Sequence, residues 1–263
     1  MVDYAGVTRC VYKVGVYNLI KRIKKRIRSY EESNLILYCL IFRLWERPYY
    51  LGVDFLICYL YSLFISYKLF GVSFVPKVFF KSTVFRVVIK KSKDCIITSK
   101  TKIPFVFESF NYGVERTVFV FSKNSKVNID NSFYIGNGCI INVGENSKLS
   151  LSGSKCNRLS GITSDSKIIC CDDIKIGEGT IISWGCYITD SNNHKINGKL
   201  VNKPVSIGGN VWISEGCTIA PGAVIKEGTI VGAKSYVNGD FPSNVLLVGC
   251  PAVIKKANIS WQR

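Results

Sequence analysis

A chain of 263 residues that is 48% hydrophobic can bury one large core, and this excludes a disordered chain. A formal charge of +17 invites a nucleic-acid reading, but no recognised nucleic-acid module accompanies the basic residues, so no nucleic-acid partner is expected. Eleven cysteines would suit a secreted disulfide framework; the first thirty residues are polar and basic rather than signal-like, so a reducing cytoplasm is the expected setting.

The charge is concentrated at the front. Residues 1–104 hold 19 Lys and Arg against 6 Asp and Glu, whereas residues 105–263 hold 16 against 12. Within VYNLIKRIKKRIRSY, Val16, Ile20, Ile23, Ile27 and Tyr30 recur at steps of three and four, leaving six Lys and Arg between Lys21 and Arg28 for the other faces. That spacing predicts an amphipathic basic helix, suited to peripheral contact with an anionic membrane.

The next stretch, residues 34–70, is apolar and aromatic but is interrupted by Arg43, Glu46, Arg47 and Pro48. Leu51 to Phe70 is long enough to span a bilayer, yet its uncharged run, Phe55 to Tyr67, is only thirteen residues. Such a length fits a buried or interfacial helix better than a spanning one. Packing of these helices on the body of the protein or on a neighbouring subunit is the alternative. The N-terminal helical region is accordingly drawn as 1–80, with a second domain over 81–263.

The second domain carries a repeat. Aliphatic residues fall every six positions at Ile176, Ile182 and Ile188, and again at Ile207, Ile213, Ile219, Ile225, Val231 and Val237, with a weaker trio at Ile129, Ile135 and Ile141. Two residues earlier stands a smaller side chain, as at Thr180, Cys186, Val211, Cys217, Ala223, Thr229 and Ser235. One large and one small inward position per hexad describes one flat face of a triangular coil, three hexads to a turn, and predicts a parallel β-helix. Cys139, Cys186 and Cys217 take the small inward position, which makes them packing residues rather than nucleophiles. Gly177, Gly208 and Gly232 follow the aliphatic residue, where a turn needs positive φ or close backbone approach.

The segment KPVSIGGNVWISEGCTIAPGAVIKEGTIVGAKSYVNGDFPSNVLLVGCPAVIKK, Lys203 to Lys256, resembles the C-terminal signature of the hexapeptide-repeat acetyltransferases, a family that includes galactoside, maltose and serine acetyltransferases and O-acetyltransferases of bacterial surface polysaccharides. The resemblance implies a left-handed β-helix, a homotrimer with sites between subunits, acetyl-CoA as cosubstrate, a glycan acceptor and no metal. It also implies contacts to the cofactor from Trp212, Glu215, Ala233, Asn238, Lys255 and Lys256. The chain departs from the family pattern in reading WIS for WIG, and at Glu215 and Asn238, where small or hydroxyl residues are usual. A γ-class carbonic anhydrase would share the coil but needs three histidine ligands, and the chain has one histidine.

That histidine lies where the repeat breaks. Ile188 and Ile207 are nineteen apart, one more than three hexads, and the intervening TDSNNHKINGKLVNKP is polar and glycine-containing, so it is expected to leave the column as a loop. His194 stands at the position where the family keeps its catalytic histidine. Acyl transfer to a hydroxyl requires removal of a proton whose pKa is far above neutrality, and imidazole can accept it. His194 is expected to be the general base, Asn193 to add polar contacts, and Asp190 either to orient the ring or to cap backbone amides. The resulting expectation is an O-acetyltransferase of a capsule or O-antigen glycan, working in the cytoplasm at the inner membrane. An N-acetyltransferase of a nucleotide-linked amino sugar and a non-catalytic scaffold are the alternatives.

Overall fold

The computed structural model describes residues 51–81, 86–108, 115–154 and 160–262. The basic helix expected over residues 16–30 lies outside them. Among the described residues one helix, α1 (Leu51–Phe70), is followed by short strands, all but two of which fall into three sheets of nine, seven and seven strands, parallel except for the last strand of the first. The chain visits the three in rotation, so each sheet is one face of a parallel β-helix. A compact unit runs from Gly52 to Arg263 and takes in α1 from its second residue together with the first strand, Val78–Phe80.

Inward side chains stack in register from coil to coil. On the first face Ile135, Ile162, Ile182, Ile213, Val231 and Leu247 follow one another; on the second Ile141, Ile168, Ile188, Ile219 and Val237 do the same. All are 1% exposed or less, and they form one continuous apolar column. Cys139, Cys186 and Cys217, at the small position, are buried in the column, and burial pushes the Cys139 thiol up to about 12, whereas a hydrogen bond with Cys186 holds the Cys217 thiol down. The corner glycines have a steric reason, since a Cβ on Gly177 would lie 2.5 Å from the backbone of Gly208, and one on Gly208 2.7 Å from the amide nitrogen of Glu227.

The two ends of the column differ. At the start, strands of up to six residues surround a plug of Phe80, Phe105, Phe107, Phe119, Phe121 and Phe133, with Phe80 stacked on Phe107 at 4.6 Å. Helix α1 closes this end. Its Ser66 and Ser62 hydroxyls accept the amides of Val78 and Phe80 (2.9 and 3.2 Å), and the Tyr61 hydroxyl accepts the amide of Val87 (3.0 Å). At the other end the strands shrink to two residues, and the last, Ala252–Lys256, turns back antiparallel on Leu246–Gly249.

Candidate active site

The register break is built as a hairpin. Ser191–Ile196 pairs antiparallel with Lys199–Asn202 through Asn197 and Gly198, both at positive φ (49° and 77°), the backbone that an Asn-Gly hairpin turn demands. The excursion expected as a loop is therefore an ordered arm projecting from the corner between the second and third faces. Pairing steps from Ser191–Asn202 to Lys195–Leu200, four residues on one strand against two on the other. His194 lies in this bulge, directly after Asn193 in the left-handed region (φ 57°). Its side chain is exposed, as is that of Asn193.

Asp190 anchors the arm. It is fully buried, and its carboxylate oxygens accept the amides of Cys171 (2.7 Å) and Asp172 (2.8 Å) from the preceding coil. Burial raises its pKa from the ordinary carboxylate value, against the lowering effect of these two bonds. Its own carbonyl accepts the amide of Lys203, closing the base of the arm. Of the two roles open to Asp190, capping amides is the one its carboxylate is engaged in here. Hydroxyls add further ties: the amide of Ser191 donates to Thr189 Oγ1 (3.2 Å) and the amide of Asn193 to Ser191 Oγ (3.0 Å). Cys171 lies under both strands, donating its thiol to Asn193 Oδ1 (3.4 Å) and accepting Asn202 Nδ2 at its carbonyl (3.5 Å).

The positions carried over for the cofactor fall elsewhere. Trp212 lies on the outside of the first face, donating Nε1 to Ser183 Oγ (3.4 Å) and packing on Trp261 (5.9 Å). Glu215 and Ala233 occupy the corner between first and second faces, where Glu215 pairs with Lys234 of the next coil at 3.0 Å. Lys255 and Lys256 are exposed on the final strand, at the edge of the first face. Asn238 alone stands on the corner from which the arm projects, two coils further along. One chain thus groups Trp212, Glu215, Ala233 and the two lysines on one side, and His194, Asn193, Asp190 and Asn238 on the other.

Two aromatic residues beside these positions were not selected from the sequence. Trp261 donates to the carbonyl of Asn210 (2.9 Å) and covers Trp212; nothing in the repeat marks it, because the tail lies beyond the last hexad. Trp184 is 45% exposed on the corner of Glu215 and had a signal, since ISWGC at 182–186 and ISEGC at 213–217 are successive copies of one corner. Among the described residues no group of three or more His, Cys, Asp and Glu side chains is placed to hold a metal.

Comparison with known proteins bears on this geometry. The similarity is to acetyltransferases. The chain is 34% identical over 102 residues to WbbJ of Escherichia coli K12, named for O-acetyl transfer in lipopolysaccharide biosynthesis, a match covering 33% of this chain and 52% of that protein. It is 32% identical over 103 residues to a galactoside O-acetyltransferase of Lactococcus lactis, covering 36% and 50%. It is 35% identical over 92 residues to WcaF of E. coli K12, an acetyltransferase named for colanic acid biosynthesis, covering 34% and 50%. The chain thus spans about half the length of the curated relatives it matches. Among solved structures, the polysialic-acid-specific acetyltransferase NeuO is 20% identical, with 67% of this chain and 89% of that one covered at a TM-score of 0.41. No family model matches the chain.

Proposed function

We propose that the chain is an acetyl-CoA-dependent O-acetyltransferase acting on a sugar hydroxyl of a bacterial surface polysaccharide or its precursor, with His194 as general base. The observation that carries this reading is the arm itself: the one histidine of the chain is held out on an ordered bulge whose base is clamped by a buried carboxylate, in a chain similar over a third of its length to O-acetyltransferases. The imidazole takes the proton of the sugar hydroxyl as its oxygen attacks the thioester carbonyl. Collapse of the adduct breaks the C–S bond, and the imidazolium returns the proton to the departing thiolate. Asp190 acts at one remove, fixing the arm through the amides of Cys171 and Asp172.

The cofactor would lie against the other side of a neighbouring copy. Exposed Ala233 leaves the backbone of its corner open to a pantetheine arm, Trp212 offers an aromatic wall, and Lys255 and Lys256 suit the phosphates. Glu215, already paired with Lys234, and Asn238, on the corner of the arm, are polar flanks. Because one chain keeps these positions apart from His194, the complete site needs a partner to contribute the opposite half. A closed homotrimer supplies that partner, and threefold symmetry fits a triangular coil. The basic segment around residues 16–30 would hold the assembly at the anionic inner leaflet, where lipid-linked glycans are built.

Incubation of purified protein with labelled acetyl-CoA and candidate glycans, followed by mass spectrometry, tests the reading. A base-labile ester on the glycan is expected; a base-stable amide would identify an N-acetyltransferase, and absence of transfer over a panel of acceptors would remove the enzymatic reading.

A further inference from the structure

Helix α1 is apolar on both sides. Its inner side, Cys58, Ser62, Ile65, Ser66 and Leu69, is buried on the end of the column. Its outer side, Leu56, Ile57, Leu60, Phe64 and Tyr67, recurs at helical spacing and is between 48% and 60% exposed. The apolar surface continues into the following loop, where Val72 and Phe74 are 85% and 93% exposed. A phenylalanine so fully in water on an ordered loop, next to a five-residue apolar stripe, marks an interaction surface.

We propose that this outer side of α1 and the loop of residues 72–75 seat the protein on an anionic lipid bilayer, with Phe74 entering the headgroup region. Charge selects this occupant. Between Phe55 and Lys93 the chain has seven basic residues and no acidic one. Lys68 and Lys77 lie over the rings of Phe64 (4.7 Å) and Phe70 (5.4 Å), so cations are interleaved with the aromatic residues, and Arg86 opens the strand next to the helix. Aromatic rings with adjacent cations are the side chains that settle at a lipid–water interface. The helix lies on the surface and does not cross. Among the described residues none is long and apolar enough to span, and the inner side of α1 is bound through Ser62, Ser66 and Tyr61 to the first strands of the column.

This inference uses none of residues 16–30 and rests on the membrane reading above only for the choice of an anionic leaflet. The test is sedimentation of the full-length protein with vesicles of phosphatidylglycerol and phosphatidylcholine at low and high salt. Phe74→Ser, and Phe64→Ser with Phe74→Ser, should bind at least tenfold more weakly at both salt concentrations, with thermal melting unchanged. Deletion of residues 1–30 should weaken binding chiefly at low salt, because exposed charges are screened as salt rises. Brominated lipid should quench the added emission of Phe74→Trp.

Wild-type vesicle affinity of both serine variants, or no quenching of Phe74→Trp, would overturn the inference. If the truncation alone lost binding, the basic segment would stand as the sole membrane contact. If the serine variants instead changed oligomeric state and left vesicle binding intact, the surface would belong to a second copy. Vesicle binding is read without acetyl transfer, so failure of the enzymatic reading would leave this result interpretable.

Discussion

The two ends of the column solve the same packing problem with different side chains. In the upper coils Trp212 pairs with Ile230, eighteen residues on, one turn of three hexads built on isoleucine and valine. In the lower coils Val78 pairs with Phe105 and Phe105 with Phe133, steps of 27 and 28, and six phenylalanines fill the wider interior. A strict period therefore belongs to narrow coils with two-residue strands, while longer strands and aromatic filling erase the period without changing the architecture. The arm that carries His194 sits where the regular half is interrupted, and the exposed apolar side of α1 where the irregular half begins.

The sharpest test of this division is His194→Ala. An exposed residue of a projecting arm carries no part of the column, so acetyl transfer should fall by roughly two to four orders of magnitude while the melting temperature stays that of the wild type. Loss of folding together with activity would make the arm part of the core and erase the distinction. Next come the cores themselves. Phe119→Ala should cost about 3–5 kcal/mol and Ile213→Ala about 2–4 kcal/mol in urea unfolding, the aromatic end losing more volume. Equal or reversed costs would show that the lower coils collapse around a deletion and are the looser half.

Asp190→Ala leaves the amides of Cys171 and Asp172 without their acceptor, and should cost about 1–2 kcal/mol while lowering turnover. Stability lost with activity kept would confine the carboxylate to a structural role. The smallest effect concerns pH. Burial raises the Asp190 pKa, so the folded state binds that proton more tightly than the unfolded chain does, and this group alone makes the fold less stable as pH rises above the ordinary aspartate range. Asp190→Asn should remove that contribution, visible as a flatter pH dependence of the denaturation midpoint. An unchanged slope would assign it to other carboxylates.

How much could be read beforehand follows the same division. Ile176 to Val237 spelled out the upper coils because every sixth residue points inward, and the nineteen-residue gap located the arm. The Asn197-Gly198 pair was the sign that the arm is a hairpin, visible in the sequence but read only as polar loop. The lower coils showed only the weak trio at Ile129, Ile135 and Ile141 because their turns are not multiples of six, and α1 was legible as a buried or interfacial helix, but not which strands its serines serve. Side-chain identity told what Asp190 could do; only geometry told that its oxygens are taken by amides.

Those serines have one more consequence. A stack of parallel coils ends in a row of unpaired backbone groups, and a second molecule could add its own first coil there, and a third after it. With Ser62 and Ser66 already holding the amides of Val78 and Phe80 at one end, and the reversed strand Ala252–Lys256 laid along the other, the first face is capped at both ends against a further parallel coil.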